Sequence, residues 1–517
     1  TTEIFPSEID TAGRVFVPGI PPGAGLVLNL YGCDAGNEVI WSGRYSGLEV
    51  KANSKAAPPL YFTRKNEMSC TGGAYIDRGA FTSALERPLM MHNTARVGDD
   101  LLIFGGFDTY IPTGSAPALE ATATDIVRYD ATRGVFQTLP YRLASPRALA
   151  HAVTLGNGSH VLVFGGTLRA EFAQSPPLRW SDTEEPTPAA EIINLENGTV
   201  TTADWDIPNI SYSAVAANAA GTRILIAGGM DTTGYPTATL QWLTGTPNSI
   251  ASGTATRIQG DLIHERMGAT AHVLADTESA IVIGGALNAN PDAMVEIVTS
   301  DATSVPISLD PIPGTFALHA SEIIAQDGCQ YAVALVGGVD IQRADPNPPL
   351  FRSPVGSTPR LHILQLNICD PNAPTATLTD STAALGGTTI SQRIFHQLVQ
   401  LEPGVLALSG GINQVGQPIA PADPACDVDT VGTGCWLRDV TILQAGGGVT
   451  NPTLEKVSEG QMSAARFGHR SVRLPNDTLL FIGGMNQLSP DADSITNAAE
   501  IYNALLPIDS GRCQEAR

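Results

Sequence analysis

Six histidines fall on segments of similar pattern: His92, His151, His272, His319, His396 and His469. Imidazole titrates near neutral pH and is the commonest metal ligand, so six around one axis would hold a metal or move protons. Their offsets from the nearest Gly-Gly pair differ, however, and the six do not point at one locus. Packing between strands, with a ring nitrogen bonded to a neighbour, is the reading the spacing favours. Asp427 and Asp429, followed by Gly432 and Gly434, form a DxDxxGxG fragment. Two carboxylates two apart on a loop supply part of a calcium site, but the terminal Glu of a complete ligand loop is missing. Calcium is the one weak metal candidate, and no other cofactor is expected.

Nucleophile and phosphate motifs are absent: the chain has no GxSxG, GxxxxGK[ST], HExxH or CxxC. Without CxxC-type spacing the seven cysteines read as disulfide formers rather than zinc ligands. Cys426 and Cys435 enclose a short Asp/Gly-rich loop and pair locally. Cys33 and Cys70 are expected to bridge near the N-terminus, leaving Cys513 over; the competing pairing joins Cys70 to Cys513.

The elements that must carry these residues are set by a repeat. Seven aliphatic runs end in Gly-Gly, at Gly106, Gly166, Gly229, Gly285, Gly338, Gly411 and Gly484. A second apolar strand precedes each run, often opened by Arg, as at Arg147, Arg266, Arg393 and Arg466. A polar loop and a third strand follow (125–130, 190–195, 293–298, 499–503), then a shorter fourth such as 134–140. Four short strands per period, with Gly and Asn turns, predict an all-β radial array, a seven-bladed propeller. A glycine at a strand end near a crowded axis permits positive φ and close backbone approach.

RFGHRSVRLPNDTLLFIGGM…AEIYN (466–503) resembles a kelch repeat: an Arg/His-bearing inner strand, an aliphatic strand ending in Gly-Gly, then a strand with Tyr. The likeness covers about residues 75–517. The Tyr is kept at Tyr129 and Tyr502 and replaced elsewhere. Propellers of this kind include copper-radical oxidases of the galactose oxidase type and sugar-epimerising enzymes. The former need a Tyr cross-linked to a Cys with further Tyr and His ligands, and no such constellation stands out. In such a blade the first-to-second and third-to-fourth turns share an end, which predicts a Cys329–Cys369 disulfide.

The expected organisation is a small N-terminal β-sandwich over 1–72 and a seven-bladed kelch-type propeller over 73–517. The segment 78–88 resembles 133–142, so the last blade is expected to be closed by an N-terminal strand near 79–85. The longest loops, 168–188, 340–359 and 412–434, leave one face of the disc; Trp180, Asp182, Glu184 and Glu185 of the first, together with Tyr235 and Trp436 elsewhere, are the candidate contact residues. Per-repeat insertions on one face often form the binding face.

A formal charge of −22, from 29 basic and 51 acidic residues, argues against nucleic acid or an anionic membrane as partner. No apolar run reaches the roughly 20 residues of a transmembrane helix. With the cysteines and a first residue other than Met, this suggests an extracellular, cell-surface or periplasmic protein whose signal segment has been removed. The expected function is a binding or structural propeller, more a non-enzyme than an enzyme, joining another protein or a larger surface assembly through its long loops. The alternative is a carbohydrate-active or carbohydrate-binding propeller, epimerase-like or lectin-like.

Overall fold

The computed structural model describes the chain between Val17 and Leu506. Outside the described residues lie both termini, the stretches 54–60, 72–80, 112–117, 173–179, 183–189, 204–210, 286–293, 310–315, 343–349, 353–360, 383–392, 414–425, 429–434 and 487–493, and a few shorter ones. The described residues form an all-β propeller of seven four-stranded antiparallel sheets. Inner strands run Asn93–Val97, His151–Leu155, Ala214–Ala217, Thr270–Val273, Ala320–Asp327, Gln397–Glu402 and Arg470–Arg473, one per blade, and consecutive ones pack side by side. Each pairs with the aliphatic strand of the repeat, which pairs with the third strand, which carries the outer strand.

The aliphatic strands are buried on both faces, and this is why they lack period-two alternation. Their side chains feed apolar layers between neighbouring blades. One such layer joins Ala334, Val336 and Ile363 of blade five to Leu406 and Leu408 of blade six. Burial of this kind contributes roughly 25 cal/mol per Å² of apolar surface removed from water.

The Gly-Gly pairs latch one blade to the next. The second glycine's N–H donates to a carbonyl that opens the following blade's inner strand: Gly106 to Arg147, Gly229 to Arg266, Gly338 to Arg393 and Gly411 to Arg466, at 2.7–2.9 Å. Gly484 closes the ring onto Leu89 of blade one at 2.8 Å. A Cβ on Gly105 would sit 2.4 Å from the Arg147 carbonyl oxygen, and Gly105 and Gly106 have φ of +66° and +98°, so no other residue fits.

The same arginines lock their own blades. Arg147 binds the Gly165 carbonyl and, at 2.6 Å, Glu191 of the third strand. Arg266 does likewise with Gly284 and Glu296, Arg393 with Gly410 and Asp439, and Arg466 with Gly483 and Glu500. Blades one, three and five, which lack the Arg, carry Val127, Gln241 and His362 where Glu191, Glu296 and Glu500 stand. Asp439 of blade six stands two residues earlier, where blade one keeps Asp125. Leu89 goes with Val127, and Phe316 meets His362 edge-on with ring centroids 5.4 Å apart. The two sites change together because a buried charge left alone costs several kcal/mol.

Just before each inner strand stands a residue with φ between +50° and +61°: Met91, Leu149, Tyr212, Gly268, Leu318, Phe395 and Gly468. Their backbones form a collar round the axis. Met91 donates to the Gly468 carbonyl, Leu149 to Met91, Gly268 to Tyr212, Leu318 to Gly268 and Gly468 to Phe395, at 2.7–3.1 Å. Bulky residues in the left-handed region cost about 1–3 kcal/mol each and persist only where their surroundings hold them. Here they are held by an apolar layer to which all seven blades contribute, including Met90, Met267, Ile394, Phe467 and Trp436.

Three sequence expectations are corrected at the N-terminal end. The β-sandwich expected over 1–72 is, among the described residues, a three-stranded sheet of Gly23–Cys33, Val39–Val50 and Phe62–Arg64. Val39–Val50 is one continuous strand, because Gly47 at φ +72° is absorbed without ending it. Blade seven is closed by Met68–Cys70, paired with Ala499–Tyr502, and not by a strand near 79–85. Thr82 instead bridges Phe136 on the outer strand of blade one, so the likeness of 78–88 to 133–142 reflects neighbouring edge positions. Lastly, Cys70 is a free thiol while Cys33 is disulfide-bonded, so the Cys33–Cys70 bridge does not form. Cys70 lies on the blade-closing strand, opposite Glu500, whereas Cys33 ends a strand of the separate sheet.

Candidate functional site

The axial channel is bounded by the inner strands, and the repeat fixes where each of their residues stands. Directly after the collar residue come His92, Ala150, Ser213, Ala269, His319, His396 and His469. Four of these imidazoles fill space that glycine leaves in the preceding blade. A Cβ on Gly284, Gly337, Gly410 or Gly483 would lie 2.6–3.2 Å from the Cε1 of His319, His396, His469 or His92. His151 and His272 stand further along, half-buried beside the channel.

Hydroxyl groups tie these imidazoles across blade boundaries. His151 Nε2 is 2.9 Å from Ser213 Oγ, His319 Nε2 is 2.9 Å from Thr270 Oγ1, and His469 Nε2 is 3.1 Å from Ser409 Oγ. His272 Nε2 lies 2.7 Å from Ser321 Oγ, which in turn donates to Thr270 Oγ1 at 2.6 Å. Desolvation, reinforced by the Arg470 charge, lowers His92 to about 3 and His151 to about 4. Desolvation alone brings His272 to about 4. All three are neutral at pH 7; His151 and His272 act as hydrogen-bonding wedges, whereas neither ring nitrogen of His92 has a partner among the described residues.

Two charged residues stand in the collar-side half of the inner strands. Arg470, on the inner strand of blade seven, donates from Nε to the His92 carbonyl at 2.7 Å. Glu322, on the inner strand of blade five, is half-buried, and no hydrogen bond or ion pair joins it to another described residue. Burial raises its carboxyl to about 7. Sequence reasoning missed it, because one Glu among 51 acidic residues carries no signal until the repeat register aligns it.

The channel has two unlike ends. At the Gly-Gly end the collar and its apolar layer surround the axis. A polar solute passing there would shed water without hydrogen bonds in return, at a cost of several kcal/mol. The opposite end is formed by the first-to-second strand turns. Near its rim a shallow cleft lies between the N-terminal sheet and the turns of blades one and seven, where Arg44 stands 3.7 Å from Asp99.

The residues singled out from the sequence are not brought together. Trp436 is corrected from a loop-surface residue to a core one: it is 1% exposed and stacks on Phe467, centroids 5.0 Å apart. The strand pairing Ile412–Asn413 with Cys435–Leu437 turns it inward. Tyr235 is half-buried in a turn where its N–H donates to Asp231. Trp180 and Asp182 lie on a strand added to a four-stranded sheet over blades one and two, their side chains outside the described set, as are Glu184 and Glu185. Asp427 lies on a strand opposite Trp436, and Asp429 is outside the described residues. Cys426 and Cys435 lie on adjacent antiparallel strands, opposite Leu437 and Val428, and their side chains are likewise outside. Cys329 and Cys369 are disulfide-bonded, with Cα atoms 5.0 Å apart at the turn end of blade five.

No family model matches the sequence, and no curated protein matches it. Among solved structures the chain is similar to a fungal alcohol oxidase of the AA5 family in complex with copper, described as having catalytic diversity. The identity is 14% and the TM-score 0.44, over 70% of this chain and 63% of that one, less than two thirds of the oxidase's length. Such a score transfers no chemistry. That protein is an enzyme described in complex with copper, which stands against the expected non-catalytic assembly module and against calcium as the one candidate cofactor, while assigning neither activity nor copper to this chain. Copper itself does not fit the described residues. They hold no cluster of three or more His, Cys, Asp or Glu able to take a metal. The inner-strand imidazoles are committed to inter-blade packing, and the free thiol Cys70 lies on an outer strand.

Proposed function

We propose that this protein is a carbohydrate-directed, kelch-type propeller whose ligand enters the axial channel from the turn end. The observation that carries this reading is the chemistry of the inner strands: half-buried Thr, Gln and neutral His side chains, with one carboxyl that has no partner among the described residues. Neutral donors and acceptors at close spacing suit a polyhydroxylated molecule, whose hydroxyls both give and accept hydrogen bonds. An anionic ligand would meet a chain of net charge −22. The partner is a glycan, and the Cys329–Cys369 disulfide favours an extracellular or periplasmic setting.

Binding of the purified chain to an array of neutral oligosaccharides tests this. The expected result is saturable binding that Gln397→Trp, on the inner strand of blade six, abolishes while the circular dichroism spectrum is unchanged. Failure to bind any neutral saccharide would sink the proposal.

A further inference from the structure

Seven repeats offer an internal control for every wall position. Three residues after the one that follows the collar stand Ala95, Val153, Ala216, His272, Glu322, Val399 and Val472. Five are Ala or Val, as suits a row that meets the apolar layers between blades. His272 is polar, but its ring nitrogen is bonded to Ser321 of the next blade. Glu322 alone in this row is a carboxyl, and no described residue takes its hydrogen bonds. Ala320 and Ile324, in the same row of its strand, belong to the apolar layer between blades five and six. The fold is therefore built with an aliphatic side chain at this place and bears the cost of a desolvated acid in one copy. Groups so placed are concentrated at functional sites.

We infer that Glu322 is the ligand-contacting carboxyl of the channel, hydrogen bonding to the hydroxyls of a neutral polyhydroxylated molecule. This rests on the reading of the channel as a carbohydrate site and narrows it to one residue. A neutral ligand removes the water that remains on the carboxyl and so favours its protonated form. Binding then weakens as pH rises through about 7. The flanking inner strands add little titration of their own. His272 on one side and His396 on the other are held neutral by burial. Asp327 ends the strand of Glu322, and Glu402 ends the strand beside it.

The test compares the full-length protein with Glu322→Val and Glu322→Gln, using the neutral saccharide that the wild type binds best. Glu322→Val restores the residue type of the other repeats and is expected to raise the melting temperature while weakening binding about tenfold or more. Glu322→Gln is expected to keep part of the affinity and lose its pH dependence between pH 6 and 8. A lower melting temperature for Glu322→Val would make the carboxyl a structural group and overturn the inference. So would saccharide binding that all three proteins share, which leaves the carbohydrate reading standing. Absence of saccharide binding by the wild type removes that reading and the ligand class together. Binding that strengthens above pH 7 would assign the carboxylate to a cationic ligand and overturn the inference in the same assay.

Discussion

The buried imidazoles make the propeller acid-sensitive. His92 is held at about 3 against an ordinary 6.5, so the unfolded chain takes up a proton near pH 6.5 that the folded chain refuses. Stability is complete above pH 6.5 and falls as pH drops toward the folded value, by roughly 1.4 kcal/mol per unit for a fully buried group. His151 and His272, which border the channel, act in the same direction with smaller slopes. Glu322 opposes them: between its ordinary 4.5 and about 7 the folded form keeps a proton that the unfolded form releases. Urea titrations at pH 5 and 7 should therefore show lower stability at pH 5, and His92→Asn should reduce the difference. The Arg–acid locks give a second residue-level test. Arg147→Leu alone is expected to cost about 3–5 kcal/mol, because Glu191 is left buried and unpaired. Adding Glu191→Val recreates the Leu89/Val127 pair of blade one and should recover most of the loss in a double-mutant cycle. The arginines were plain in the sequence. Their acids were not, since they come from third strands at variable distance.

At the scale of elements, the aliphatic runs and their terminal glycines were legible because burial on both faces and positive φ leave a compositional mark. Gly106→Ala would place its Cβ 2.7 Å from that of His92 and force alanine to φ +98°. A loss of about 1–3 kcal/mol is expected, read as a shifted denaturant midpoint with unchanged slope. The collar was nearly invisible. Only Gly268 and Gly468 hint at its left-handed backbone, and the other five copies carry Met, Leu, Tyr, Leu and Phe. Context overrode local preference there. The Glu322 row was hidden for another reason: its meaning comes from comparing copies in register, and inner strands differ in length and composition.

For the molecule as a whole, ring closure rests on three residues far from blade seven in sequence. Met68, Ser69 and Cys70 pair with Tyr502, Ile501 and Glu500, and Asn503 adds side-chain bonds to Ser42 and Thr63 of the N-terminal sheet. Ser69→Pro removes a donor from this ladder and should cost about 1–3 kcal/mol, with unfolding beginning at blades seven and one. Hydrogen exchange at Leu480 and Ile501 would report it, while Leu225 in blade three should stay protected. The N-terminal closure was expected but placed too late in the chain, since Met68–Cys70 is too short to show periodicity. The collar has one more consequence. For the proposed channel ligand, an apolar collar at the Gly-Gly end would leave the turn end as the route both in and out, and a long glycan would then be met at its terminus, one unit at a time.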